Sequence, residues 1–297
     1  MTKTKIQWAD HTINPVVGCS KISSGCQNCY AEKMAKRLAA MGLGQYQRVL
    51  DHDRQWDGVT QFVPHELEKP FKWKSSRSVF ISSMGDLFHK STWRCWIDEV
   101  LMMVANNSEH TFIMLTKRPE RMKEYFDTTE PGLFSAMYQL SHGTPVEQLN
   151  WPLPNLVLGV SVEDQATADA RIRVLLQTPA AKRFVSIEPM LEEIDLYRGG
   201  WSFLHALIPP PGNKTGWKHG IDGVVLGGES GTKARPLDPE WVRKVRDRCK
   251  EASVPFMFKQ WGNNVIQEHG RPWEFNNENG FPELDGNTHT ELAWDVR

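Results

Sequence analysis

Apolar residues along the chain gather into short unbroken runs: Ser78–Ser82, Thr111–Leu115, Asn155–Val160, Arg183–Ile187, Asp222–Leu226 and Pro255–Phe258. Runs of this length without alternation predict strands buried on both faces, as in a parallel sheet. Between them the apolar period lengthens to three and four. Tyr30, Met34, Leu38 and Met41 predict a helix stopped by Gly42 and Gly44. Trp93, Trp96, Ile97, Val100, Leu101 and Val104 form a stripe on a second helix, with Ser91 as its expected cap. Helices are also predicted over Glu120–Phe126 and Ala166–Leu176. A further one starts at Asp238-Pro239, with Asp as cap and Pro in the first turn, and turns Trp241, Val242, Val245 and Cys249 inward.

Thr12–Val17 reads as a short extended segment broken at Asn14-Pro15. Residues 127–154 and 199–220 read as loop-rich insertions, and Gly262–Arg297 shows no core pattern. Strand and helix thus alternate about six times, which predicts a parallel α/β architecture: a full or partial barrel, or an open doubly wound sheet. The expected division is a barrel over 1–262 and an extension or lid over 263–297.

Polar residues recur just after the predicted strands: Asp86, Lys117, Arg118, Ser161, Glu163, Glu188, Glu229, Ser230, Lys259 and Gln260. Parallel strands direct such ends to one rim, where α/β folds build their sites. Composition adds little. A formal net charge of -1 excludes a strong basic field, although a local patch remains open. Twelve tryptophans supply rings for core, pocket or base stacking. The polar start, Met1–Trp8, predicts no secretory leader, and no run reaches spanning length. The expectation is a cytoplasmic protein without membrane association, whose thiols stay reduced.

Three of the five cysteines lie close together, Cys19, Cys26 and Cys29, spaced C-x6-C-x2-C with Gly18 and Gly25 beside them. The short gap lets two sulfurs converge on one centre, and Gly25 lets the loop bring in the third. Three readings stay open on spacing alone. One is structural zinc with His11 as fourth ligand. The second is an iron–sulfur cluster with one iron left open. The third is three thiols without function.

The segments Trp8-x6-Pro15-x2-Gly18-Cys19, Cys26-x2-Cys29-Tyr30-Ala31-Glu32, Ser161-Val162-Glu163, Ser186-Ile187-Glu188-Pro189, Gly227-Gly228-Glu229-Ser230 and Lys259-Gln260-Trp261-Gly262 carry a resemblance. With the βα succession they look like the radical S-adenosylmethionine superfamily. More narrowly they resemble a phage and prophage family known by its three-cysteine motif. Two features depart from the superfamily pattern. The first cysteine gap is six rather than three, and Asn28 stands where an aromatic residue is usual.

The resemblance implies a partial (β/α)6-type parallel barrel with two loop insertions and a C-terminal extension. It implies that Cys19, Cys26 and Cys29 ligate a 4Fe–4S cluster whose open iron binds S-adenosylmethionine. An electron from an external donor would then cleave the cofactor to a 5′-deoxyadenosyl radical that takes hydrogen from a substrate. Gly85 and Asp86 would meet the methionyl ammonium, Ser161 and Glu163 the ribose, and Glu188 and Glu229 cofactor or substrate. Each has a plainer reading: Asp86 as a turn cap, Glu163 as a helix cap or a partner of Arg171, Lys259 as partner of a rim glutamate. The preferred substrate is a nucleic-acid base or nucleotide, from the phage resemblance, the tryptophans and Lys117, Arg118 and Arg235. The competing functions are a zinc-stabilised nucleic-acid- or protein-binding module without redox chemistry, and a hydrolase whose rim glutamates do acid–base work.

Overall fold

The computed structural model describes residues 4, 6–130, 134, 150–198, 201–204, 220–266 and 281–294. Most of both predicted insertions, and residues 267–280 and 295–297 of the tail, lie outside these. Seven strands carry the fold: β1 (His11–Ile13), β2 (Ser78–Ile81), β3 (Thr111–Thr116), β4 (Leu156–Val162), β5 (Lys182–Ile187), β6 (Gly223–Gly227) and β7 (Phe256–Gln260). They make one sheet whose strand order is their chain order. The principal helices are α1 (Tyr30–Ala40), α2 (Arg94–Asn106), α3 (Pro119–Thr128), α4 (Gln165–Gln177) and α5 (Pro239–Glu251). This is a mixed α/β protein with a seven-stranded parallel sheet. Every residue of β4 and β6 is buried, which explains why their sequences lack alternation.

By internal contacts the chain forms two compact units. The first holds Met1–Ile22, Tyr30–Leu158 and Gln177–Lys182; the second holds Ser23–Cys29, Gly159–Leu176 and Arg183–Arg297. In the first, β1 pairs in parallel with β2 (His11 opposite Val79) and β2 with β3 (Ser78 opposite Thr111). Helix α2 buries Ile97, Val100, Leu101 and Val104 as its stripe predicts. Trp93 does not follow the stripe: it caps the helix and is 65% exposed. Ser91, the expected cap, instead bonds His89. Helix α1 also departs from its pattern. Tyr30 and Met41 are exposed, while Glu32 and Ala35 are buried. Glu32 is held by Lys21 at 3.0 Å and by the Trp56 N–H at 3.1 Å, so a paired carboxylate occupies a face that hydrophobicity alone assigns to apolar residues.

In the second unit β6 pairs in parallel with β5 (Gly223 opposite Phe184) and with β7 (Val224 opposite Phe256). Asp238 caps α5 by accepting from the Glu240 N–H at 2.9 Å, with Pro239 in the first turn. Val242, Val245 and Cys249 face inward. The described tail, 281–294, belongs to this unit. Leu284 and Trp294 are buried, and Trp294 meets Phe184 edge-on at 5.0 Å. Residues with no legible period thus add core to the second unit.

Candidate functional site

In the first unit Gly18 and Gly85 join the cysteine loop to the turn after β2. They form an isolated parallel bridge. A Cβ on Gly85 would lie 2.9 Å from the carbonyl oxygens of Val16 and Gly18, so no side chain fits there. Gly18 has φ +94°, and a Cβ on it would lie 2.4 Å from the Val59 carbonyl oxygen.

Asp86 follows, buried, and its carboxylate collects donors. Thr116 Oγ1 donates at 2.8 and 3.0 Å, the Phe88 N–H at 2.9 Å and the Lys117 N–H at 3.3 Å. Arg118 Nη1 completes the set at 3.0 Å. The Phe88 bond is the turn cap of the plainer reading. Arg118, expected on the rim as a cation for the substrate, is turned inward. Its Nη1 lies 3.6 Å from Cys19 Sγ, and its Nη2 donates to Ser20 O at 2.9 Å and Ser20 Oγ at 3.0 Å. Burial pushes the Cys19 thiol up to about 12, Asp86 adds to that, and Arg118 opposes it.

Ser20 Oγ also meets His89 Nε2 at 2.8 Å, and His89 Nδ1 meets Ser91 Oγ at 2.8 Å. Burial, with Arg118 nearby, holds His89 down to about 4, so the ring is neutral. His11, the expected fourth zinc ligand, stacks on Trp73 at 4.6 Å.

In the second unit the segment Ser23–Cys29 is fastened by strand-end groups. Ser24 Oγ donates to Asp164 at 3.2 Å and the Gly25 N–H to Glu163 Oε1 at 3.4 Å. Asn28 Nδ2 donates to Glu229 Oε2 and to the Lys233 carbonyl, both at 3.0 Å. Arg235 holds Glu229 through Nη2 at 2.6 Å and Nε at 3.0 Å, and reaches Ser24 O at 2.9 Å. Asn28, the departure from the superfamily pattern, is therefore a hydrogen-bonded strut between the loop and Glu229.

Glu163 is fully buried and pairs with Arg171 at 3.0 Å, and Arg171 Nη1 also donates to Ser161 O at 2.6 Å. Ser161 Oγ donates to the Glu188 carbonyl at 3.1 Å. Glu188 pairs with Lys259 and sits 3.5 Å from Gln260 Nε2, which also donates to Ser230 Oγ at 2.8 Å. The strand-end carboxylates thus each hold a cation: Asp86 with Arg118, Glu163 with Arg171, Glu188 with Lys259, Glu229 with Arg235. Sequence reasoning missed Ser20, His89, Thr116 and Asn28 as parts of this network. Their one signal was proximity in sequence to the cysteines or to a strand end.

None of the five cysteines is in a disulfide, and the clustered three are partly buried. Cys19 lies in the first unit, Cys26 and Cys29 in the second. Among the described residues no three His, Cys, Asp or Glu side chains are gathered as a metal ion requires. No helix among them is long and apolar enough to cross a membrane.

The fold and these loops define a parallel α/β protein whose paired strand-end carboxylates fasten cysteine-bearing turns. Residues 3–293 match a family described as "Protein of unknown function (DUF5131)", and the chain belongs to that family. No curated protein matches the chain. No solved structure matches it either.

Proposed function

We propose that the protein is a radical S-adenosylmethionine enzyme. In this reading Cys19, Cys26 and Cys29 hold a 4Fe–4S cluster, and the sheet is the partial (β/α)6-type barrel of that superfamily. The observation that carries the reading is the thiol set: three cysteines, none in a disulfide, within eleven residues, with polar groups against two of the sulfurs. Arg118 Nη1 lies 3.6 Å from Cys19 Sγ, and Ser23 Oγ lies 3.7 Å from Cys26 Sγ. Soft thiolates with N–H or O–H donors against sulfur suit an iron–sulfur group, and such partners orient ligands and tune the metal. Among the described residues the three thiols are not gathered as a metal ion requires, so the reading rests on their spacing and on these contacts to sulfur. When bound, the group would supply the electron that cleaves S-adenosylmethionine reductively.

The chain's own part is positioning and exclusion of water. Glu229, Arg235 and Asn28 fix the loop before Cys29, and Glu163 and Asp164 fix Ser24 and Gly25. Asp86 and Arg118 fix Cys19 and Ser20. Gly85, Asp86, Ser161, Glu163, Glu188 and Glu229 remain the proposed cofactor side of the site. Their carboxylates would share a ligand with the cations they already hold, so in this reading they act partly by holding loops. The substrate proposed is a nucleic-acid base or nucleotide, with an external electron donor as partner.

Anaerobic reconstitution with iron and sulfide, then dithionite and S-adenosylmethionine, tests this. A brown protein that releases 5′-deoxyadenosine, and a colourless Cys26→Ala variant, are expected. A colourless wild type with stoichiometric zinc would replace the proposal with the zinc-stabilised binding module.

A further inference from the structure

We propose that Phe62, Trp96 and Trp93 form a stacking platform for single-stranded nucleic acid, with a base laid on the outer face of Trp93 and phosphates met by Lys90, Arg94 and Arg121. The platform lies wholly in the first unit and stands whether or not the thiols hold a metal.

Three rings stack face to face at the start of α2. The Phe62 and Trp96 centroids are 5.4 Å apart with the rings 9° from parallel, and those of Trp96 and Trp93 are 5.6 Å apart at 14°. Buried ring pairs elsewhere in the protein cross steeply: Trp8 meets Phe80 at 60° and Phe258 meets Trp261 at 85°. An edge-on pair has no flat outer face to offer, whereas a parallel stack can be continued by a further ring. Here the terminal face belongs to Trp93, which is 65% exposed and meets no ring but Trp96 among the described residues.

The stack is fixed from two sides. Trp93 and Trp96 are three residues apart across the first turn of α2, which places them on one face, and the Trp96 N–H donates to Trp93 O at 3.1 Å. Phe62 ends a two-residue strand, Gln61–Phe62, that pairs antiparallel with Val16–Val17. Two residues before it, Thr60 Oγ1 bonds Ser91 Oγ at 3.0 Å and Thr92 Oγ1 at 3.2 Å. Thr60 thus registers the strand of Phe62 against the residues that lead into Trp93. Rings already held in place lose little freedom when a base arrives.

Charge selects the occupant. From Leu87 to Ile97 the sequence carries Lys90 and Arg94 and no carboxylate. Arg94 donates to Thr128 Oγ1 at 2.9 Å and Thr129 Oγ1 at 3.1 Å, and its guanidinium lies over the Tyr125 ring at 4.6 Å. Arg121 donates to the Thr92 carbonyl, directly before Trp93. Neutral groups therefore hold both guanidinium groups, and Glu124 and Asp86 act on Arg121 from further away. A neutral sugar or an apolar peptide could cover the ring but would leave these cations unanswered. A single strand presents flat bases and phosphates together, and stacking on aromatic rings beside cations is how such strands are held.

Fluorescence anisotropy on the full chain, purified without added iron or sulfide, tests this. The probes are a fluorescein-labelled oligothymidylate of about twelve nucleotides and the matching oligouridylate. Trp93→Ala, Trp93→Phe and Lys90→Gln are compared with the unaltered protein, and a far-ultraviolet spectrum and thermal melt are recorded for each. Binding of either probe is expected to weaken about fivefold or more in Trp93→Ala, and to be largely kept in Trp93→Phe, which retains a ring. Lys90→Gln is expected to reduce the slope of log affinity against log salt by about 0.7, one phosphate contact. A folded Trp93→Ala protein with unchanged affinity, or an unaltered protein that binds neither probe at low salt, overturns the inference and leaves the proposed function standing. Sedimentation velocity covers the other occupant: self-association lost in Trp93→Ala, without strand binding, would assign the rings to a second copy of this chain and overturn the inference. A protein that takes up no cluster on reconstitution removes the proposed function and not this platform.

Discussion

Gly228 lies directly under the carbonyl of Trp261: a Cβ on Gly228 would stand 1.9 Å from that oxygen. The contact is reciprocal along the two turns. Gly262, at φ +83°, would place a Cβ 2.4 Å from the Glu229 carbonyl oxygen. Gly228 N–H donates to Gln260 O and Asn263 N–H to Glu229 O, both at 2.9 Å. Gly228, just after β6, and Gly262, just after β7, are thus two halves of one backbone joint, which sets Glu229 in place. A methyl group cannot be absorbed here by a side chain, because the opposing atom is backbone. Gly228→Ala is expected to destabilise the protein by about 2 kcal/mol or more, at the upper part of the overpacking range. A urea unfolding curve with an unshifted midpoint would refute this.

Glu163 and Arg171 form a buried ion pair, with Glu163 fully excluded from solvent and Arg171 9% exposed on its side chain. A charge left alone in such a place costs far more than the pair contributes. Arg171→Met should therefore lower stability by about 3–5 kcal/mol. Arg171→Met/Glu163→Leu should recover much of that loss, since the stranded carboxylate is gone. Equilibrium denaturation measures both. A double variant no more stable than Arg171→Met would show that Glu163 does something in the fold other than answer Arg171.

The parallel sheet was legible because β2 to β7 are unbroken apolar runs separated by helical periods, and burial on both faces leaves that trace. The strand-end residues were legible for the same reason: once a strand is located, its last polar residue is located too. Their partners were not. That Arg118 turns inward to Asp86, or that Arg235 crosses to Ser24, depends on loop geometry with no period in the sequence. Trp93 misled because a helical stripe does not say where the helix begins, and an indole one residue outside the first turn escapes burial. Glu32 misled in the opposite sense, since its burial depends on Lys21 and the Trp56 N–H arriving from other segments. Trp294 and Leu284 gave no signal because the tail adds isolated core residues rather than an amphipathic element.

Glu229 gives a pH dependence with a definite sign. Burial alone would push its carboxyl up, but hydrogen bonds from the Arg235 side chain and N–H and from Asn28 outweigh burial and hold it below the ordinary carboxylate value. A depressed folded-state value contributes stability that is present above the unfolded value, about 4.3 for glutamate, and is lost as pH falls through the folded value. The unaltered protein should therefore lose stability on acidification below about pH 4 more steeply than Glu229→Gln, which has no carboxylate to protonate there. Thermal melts from pH 6 to pH 3 compare the two slopes. Equal slopes would mean that the Glu229–Arg235 contact does not survive in solution.

Cys249 and Cys95 mark the two extremes of thiol environment outside the loop. Cys249 sits on the inward face of α5, has no exposed surface, and burial pushes its thiol up to about 12. Cys95 lies in the first turn of α2 and is exposed. Alkylation requires both thiolate and access, and Cys249 lacks both at neutral pH. Brief iodoacetamide treatment of the native protein, read by peptide mass spectrometry, should label Cys95 and leave Cys249 untouched until denaturant is added. The same residue tests packing: Cys249→Ala should cost stability as a small buried hydrophobe does, about 1 kcal/mol, and Cys249→Ser more, because the hydroxyl would be buried among apolar neighbours. Neither change should alter iron uptake on reconstitution. Loss of iron in Cys249→Ala would make it a ligand and would require a centre built from a different set of thiols than Cys19, Cys26 and Cys29.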